Sequence, residues 1–191
     1  MEIENFKSIK HLKIQCKKRN IFIGEPNTGK SNILESIGIF SLPYGDLSDF
    51  VRSETMSNLF YDQTLEDTIK IRTDEETVEI AFKDLKFKGK CCGEREEFTF
   101  EYDYQGKGSA SCSPESPFKF YKFIMRENFP TPKPGPLLPP SGANLLTVLM
   151  TNKHLKSVIN QIFIPFGLRL VFKPQENKID VFKQQNDIII S

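Results

Sequence analysis

Gly24-Glu25-Pro26-Asn27-Thr28-Gly29-Lys30-Ser31 fits the spacing GxxxxGK[ST]. Each residue type in that pattern has a chemical reason. A polyphosphate must be wrapped by backbone N–H groups, which only a tight loop with unhindered glycines supplies. Such a loop opens onto a helix N-terminus, where unpaired N–H groups and the helix dipole favour an anion. Lys30 brings a compact positive charge to the β- and γ-phosphates, and Ser31 offers a hydroxyl to Mg²⁺. A chain of this length shows the pattern by accident on the order of once in a hundred, so the flanks must decide. The motif requires a strand before it and a helix after it. Asn20-Ile21-Phe22-Ile23 is a short apolar run of the kind that forms a buried central strand. Ser31-Asn32 opens a helix whose apolar face is Ile33, Leu34 and Ile37, ended by Pro43 and Gly45. Both flanks are met, and the expected ligand is a nucleoside triphosphate, ATP with Mg²⁺.

The elements that must position this loop follow along the chain. Ile3, Phe6, Ile9, Leu12 and Ile14 mark two short strands with a turn at Lys7-Ser8 or Lys10-His11. Residues 46–60 read as mixed, with a short helix. Thr68-Ile69-Lys70-Ile71-Arg72, Thr77-Val78-Glu79-Ile80-Ala81-Phe82 and Phe98-Thr99-Phe100-Glu101-Tyr102 alternate as an antiparallel sheet with one wet face. The acids of this region are expected on that face or in turns. Residues 105–117 read as a polar loop. Phe118, Phe120, Tyr121 and Phe123 form an aromatic stripe that suits a core or, less commonly, base stacking. Residues 130–140 hold six prolines and read as a stiff extended connector; their PxxP form also suits SH3-type partners. A helix spans Leu145 to Ile162. The tail returns to strands over 168–172, 179–182 and 188–190, with Asn177 at a turn.

Composition narrows the class. The chain has 191 residues, 38% apolar and 27% charged, with net charge +1, which suits a globular protein of one medium domain or one domain with a subdomain. No apolar run reaches bilayer length, and Glu2 and Glu4 stand where a secretory signal would carry bases. A cytoplasmic protein without a membrane partner is expected. Cys16, Cys91, Cys92 and Cys112 show no CxxC pair, and His11 and His154 lie apart from them in sequence, so reduced thiols are expected in place of a zinc site. Charge is uneven: residues 62–103 hold thirteen acids and seven bases, while residues 119–183 hold ten bases and three acids. The basic ends suit phosphates of nucleotide or nucleic acid, or merely solvated faces.

Ile3-Glu4-Asn5-Phe6-Lys7-Ser8-Ile9, followed by the phosphate loop ending Lys30-Ser31-Asn32, resembles the N-terminal half of the RecF/SMC/OLD group of ABC-type ATPases. The resemblance is specific over residues 1–40. It is looser beyond, where Leu137-Leu138-Pro139-Pro140-Ser141-Gly142-Ala143-Asn144-Leu145 looks like the bacterial AAA-type ATPases of this group. It implies an α/β fold: a P-loop NTPase-type lobe with an N-terminal hairpin, a strand–P-loop–helix unit and an antiparallel strand-rich insert. The corresponding parts are residues 1–66 (hairpin and P-loop core), 67–129 (insert), 130–143 (Pro-rich loop) and 144–191 (helix plus strands). It further implies that Gly24, Glu25, Pro26, Asn27, Thr28, Gly29, Lys30, Ser31 and Asn32 hold the phosphates and Mg²⁺. Lys7 and Ser8 would lie near the adenine, and Gln63 is the candidate to approach Mg²⁺ and the attacking water.

The departure from the group matters as much. Hydrolysis there needs a signature motif and an apolar strand ending in Asp-Glu, and neither occurs here; Asp187-Ile188-Ile189-Ile190 has its acid at the start. The expectation is an ATP-binding lobe of a fragment, split gene or truncation, active only with a missing half or as a homodimer. Two alternatives stand beside it: a DNA- or protein-binding module without turnover, and another P-loop enzyme such as a GTPase or kinase. Asn177-Lys178-Ile179-Asp180 fits the guanine reader NKxD in letters but sits at a hairpin turn. DNA repair, phage defence and chromosome handling all use the resembling scaffold.

Overall fold

Ile3, Phe6, Ile9 and Leu12 form a hairpin of β1 (Glu2–Phe6) and β2 (Ile9–Lys13), with its turn at Lys7-Ser8. The computed structural model describes residues 1–93, 97–111, 116–122, 126 and 128–183. The chain divides into two units, Met1–Phe120 and Tyr121–Ser191.

In the first unit the hairpin joins β3 (Ile69–Arg72), β4 (Glu76–Lys83), β5 (Lys86–Gly93), β6 (Glu97–Tyr102) and β7 (Gly108–Ser111). One antiparallel sheet of seven strands results, in the order β2-β1-β3-β4-β5-β6-β7. Alternation along each strand sends Ile69, Ile71, Val78, Ile80, Phe87 and Cys91 into the core and leaves Lys70, Glu79, Lys88 and Lys90 on the other face. The segment between β2 and β3 closes that core with α1 (Lys30–Gly38), α2 (Leu47–Phe50) and three 3₁₀ turns. It contributes the fully buried Phe40, Phe50, Met56, Leu59 and Phe60.

Several sequence expectations are corrected here. Residues 20–23 are not a buried strand: they pair with no strand among the described residues, and Ile21 and Ile23 are 84% and 89% exposed. The run is apolar enough for a central strand, but no described strand pairs with it, and β2 remains the edge of the sheet. Helix α1 packs Ile33 and Ile37 of its expected apolar face against the core, but not Leu34. Glu35, Ser36 and Gly38 are buried while Leu34 is 46% exposed, because Gly38 lets the helix approach Phe50 and Phe120. Strand β5 went unread since Lys86-Phe87-Lys88-Gly89-Lys90 places a glycine at its centre. The Phe100 ring lies over Gly89, where a Cβ would sit 2.0 Å from it, so the missing side chain is replaced by a neighbour's. Residues 105–117 are not all loop, for β7 pairs with β6. Glu76 is buried beside Cys91 and does not lie on the wet face.

Phe118 and Phe120 belong to the core of this unit, against Phe40 (ring centroids 4.9 Å apart) and Phe50 (6.1 Å). Phe123 lies outside the described residues.

The second unit carries α3 (Leu145–Thr151), α4 (Lys153–Phe163) and a hairpin of β8 (Leu168–Lys173) and β9 (Lys178–Lys183). The expected single helix breaks at Asn152, whose backbone is extended and whose side chain accepts from the Leu155 N–H at 2.9 Å, capping α4. Asn177 turns the hairpin at φ 54°. Residues 130–140 have no regular structure apart from bends and turns. They are tied down by the fully buried Asn144, which accepts from the Leu138 N–H and donates to the carbonyls of Lys133 and Pro136, each at 2.9 Å. Residues 188–190 lie outside the described residues. Among those described, no helix is long and apolar enough to cross a membrane.

Candidate phosphate-binding site

The loop from Gly24 to Ser31 runs directly into α1, so its last residues are the first turn of that helix. Gly29 sits at the junction with φ 84°, a left-handed conformation that a side chain resists. Space is tight as well: a Cβ there would lie 3.2 Å from the Ser8 hydroxyl, which would have to give by a few tenths of an ångström. Asn27 takes φ 62°, which Asn tolerates better than most residues. The Gly29 carbonyl accepts from the N–H groups of Asn32 (3.0 Å) and Ile33 (3.3 Å), starting the helix. The N–H groups of Gly29, Lys30 and Ser31 find no protein acceptor among the described residues. That is the donor set a helix start offers an anion.

Lys30 is folded back over the loop. Its ammonium donates to the Glu25 carbonyl and to the Thr28 hydroxyl (3.1 Å), and that hydroxyl in turn donates to the Glu25 carbonyl at 2.9 Å. The ammonium therefore lies across the loop's own mouth, within a side-chain rotation of the free N–H groups. Gly24 adds room: a Cβ there would meet the Thr28 hydroxyl at 3.4 Å and the Lys30 side chain at 3.8 Å.

The β1–β2 turn stands against this loop. The Asn32 amide donates to the Ser8 hydroxyl at 2.8 Å, fixing the turn to the first turn of α1. Lys7 has φ 52°, and its N–H donates to the Leu59 carbonyl at 2.8 Å. An open cleft of about 860 Å³ extends from the turn, lined by Lys7, Ser8, Ser48, Val51, Arg52, Ser53, Glu54, Asn58, Phe60, Asp62 and Gln63. Lys7, Ser8 and Gln63 line this one cleft, whereas no residue from Gly24 to Asn32 lines it. Asp62 and Gln63 stand at φ 50° and 54°, two successive non-glycine residues in the left-handed region. Such strain persists only where surrounding structure enforces it.

Two residues escaped sequence reading: Glu35 and Arg52. Glu35 is 4% exposed, and its carboxylate accepts from the Lys7 ammonium, the Arg52 Nε (2.7 Å) and the Arg52 backbone N–H (3.3 Å). Burial pushes the Glu35 carboxyl up, but hydrogen bonds from Lys7 and Arg52 outweigh it and hold the group below the usual carboxylate range. The Lys7 ammonium also donates to the Arg52 carbonyl, so this cation is engaged by protein groups. A signal existed: Glu35 is the sole acid between Glu25 and Asp46, inside a helix that has to be packed on one side.

Among the described residues, three metal-ligating side chains converge only at Glu2, Glu4 and His11, on the hairpin's wet face. Arg72 lies 3.6 and 3.5 Å from those two carboxylates and balances their charge. Cys16, Cys91 and Cys92 form no disulfide among the described residues, and Cys112 lies outside them.

No characterised protein and no solved structure matches the chain. A family profile does: the one described as AAA ATPase domain matches residues 1–184, nearly the whole sequence, with the loop at Gly24 to Ser31 inside it. The chain therefore belongs to the AAA ATPase domain family.

Proposed function

We propose that this chain is the ATP·Mg²⁺-binding lobe of an ATPase of the RecF/SMC/OLD-like group, and that it does not turn ATP over alone. Membership of the AAA ATPase domain family makes the chain a nucleotide-binding, ATPase-like module. One observation supports binding of a polyphosphate at the loop. Three unpaired N–H groups, at Gly29, Lys30 and Ser31, meet the Lys30 ammonium at the start of α1. Nothing among the described residues uses those donors, and a polyphosphate would satisfy all of them together.

In this reading Gly24, Glu25, Pro26, Asn27, Thr28, Gly29 and Asn32 shape the cradle, and Lys30 swings from the Glu25 carbonyl onto the β- and γ-phosphates. The hydroxyl of Ser31 and the amide of Gln63 are the groups for Mg²⁺, which supplies charge neutralisation at the phosphates. The nucleoside would lie along the cleft behind Ser8, with Lys7 at its wall. Turnover needs a carboxylate to orient the attacking water, and no apolar strand of this sequence ends in Asp-Glu. The exposed Ile21 and Ile23 support the same view from the packing side. Residues 20–23 carry the apolar side chains of a central strand, and a neighbouring strand from a complementing segment would bury them.

Thermal melting tests the binding claim. A ligand present at a hundred times its Kd stabilises a folded protein by about 2.7 kcal/mol. ATP with Mg²⁺ should therefore raise the Tm by several degrees, and Lys30→Ala should remove the rise without lowering the Tm of the free protein. An unmodified chain that shows no shift with ATP or GTP ends this reading.

A further inference from the structure

We propose that Glu35 is a positioning residue for nucleotide binding: it anchors the Lys7-Ser8 turn at a fixed distance from Gly29, and so sets the mouth of the nucleoside cleft before ligand arrives. The proposal rests on the phosphate-loop reading above and adds to it a residue that touches neither phosphate nor base.

The geometry points to Glu35 because it is where three separate segments meet. It lies on α1, five residues past Lys30, so it moves with the helix that the phosphate loop opens. Its carboxylate takes the Lys7 ammonium from the β1–β2 turn, and the Nε and backbone N–H of Arg52 from the segment after α2. Lys7 and Arg52 both line the cleft, whereas Glu35 lies behind them with a side chain 5% exposed. The next residue after Lys7 is Ser8, whose hydroxyl is held by Asn32 and stands where a Cβ on Gly29 would touch it. Holding Lys7 therefore holds Ser8, and Ser8 is the wall that faces the loop.

Fold stability does not account for this arrangement. A buried ion pair adds little net stability compared with an apolar replacement of similar volume, and the best-attested use of one is to fix register. What is fixed here is the register of a turn already bent into left-handed backbone at Lys7, φ 52°, after a strand with the same bend at Asn5, φ 56°. Freed from Glu35, the turn would relax. The cleft mouth would shift by the fraction of an ångström that costs a preorganised site its affinity. The phosphate cradle is built from N–H groups of the loop itself and would be left in place.

The proposal thus predicts a selective loss. The full chain is titrated calorimetrically with Mg²⁺·ATP and with Mg²⁺·tripolyphosphate, comparing the unmodified protein with Glu35→Gln and Glu35→Asp. The second variant keeps the charge but withdraws it by one methylene, so it carries the test if the first does not fold; melting curves check each. Expected is a loss of about tenfold in ATP affinity, the scale on which outer supporting residues act. Tripolyphosphate affinity should stay within about twofold, a few tenths of a kcal/mol. Equal losses for both ligands, or an ATP affinity unchanged in the folded variants, overturn the positioning role. Failure of the unmodified chain to bind tripolyphosphate is a different result: it overturns the phosphate-loop reading and this proposal with it.

Discussion

Within the first unit, every residue from 20 to 28 except Phe22 is exposed, whereas in the sheet beside it Val78, Ile80, Phe87 and Cys91 show no accessible surface. Among the described residues Lys30 bonds only to its own loop, while Phe87 meets the rings of Phe60, Phe82 and Tyr104 at 5.6, 4.7 and 5.8 Å. The loop thus adds little to folding and keeps its polar groups for a ligand. The sheet's buried face carries the stability and keeps nothing for a ligand. The Ser8–Asn32 hydrogen bond ties the hairpin turn to the start of α1, with Glu35 behind it. Binding and stability should therefore be separable by mutation everywhere except near that point.

The sharpest way to break the comparison is Phe87→Ala. Removing a fully buried ring that packs on three others should cost about 3–5 kcal/mol. The urea midpoint should fall accordingly, at unchanged m. Mg²⁺·ATP affinity of the fraction that remains folded should match the unmodified protein. A coupled loss of affinity would show that the sheet core sets the shape of the loop.

A smaller effect is expected of Gly29→Ala, which acts at the boundary between the two regions. The left-handed φ of 84° costs a side chain about 1–2 kcal/mol, and the new methyl presses on the Ser8 hydroxyl at 3.2 Å. The Tm should drop by a few degrees, as about 1 kcal/mol does in a domain this size. Nucleotide affinity should fall by more than that energy explains, since the methyl also enters the cradle. Calorimetry set beside melting reads both. A fall in Tm with intact affinity would place the phosphates away from Gly29.

How far the sequence announced these regions differs between them. The loop was legible because its chemistry is local: glycine, lysine and serine at fixed spacing need no distant partner to be recognised. Alternation exposed β3, β4 and β6, and Asn177 exposed the last hairpin. Long-range packing hid the rest. Gly89 reads as a breaker until Phe100 is seen to cover it, and Glu35 reads as a solvated helix position until Lys7 and Arg52 arrive from residues far away in the chain. Residues 20–23 failed in the opposite sense. Their composition asks for a buried strand, and burial depends on a neighbour that the sequence pattern cannot supply.

The smallest expected effect concerns that same segment. Ile21 and Ile23 are among the most exposed apolar side chains described, at 84% and 89%, and no strand pairs with the backbone between them. Substitution of both by serine removes no buried surface from this chain. Its Tm should stay within the shift that about 0.5 kcal/mol produces, as for other surface changes. The phosphate loop begins at the next residue, Gly24, and its donors come from Gly29 onward, so Mg²⁺·ATP affinity should also hold. What should change is solubility. An apolar, unpaired stretch of backbone invites strand addition from other chains, so the double variant should self-associate less at high concentration, as light scattering would read. A large drop in Tm would mean that these isoleucines are covered within the chain itself. The contrast between an unburied loop and a buried sheet would then fail at its first residues, and with it the packing argument for a complementing strand.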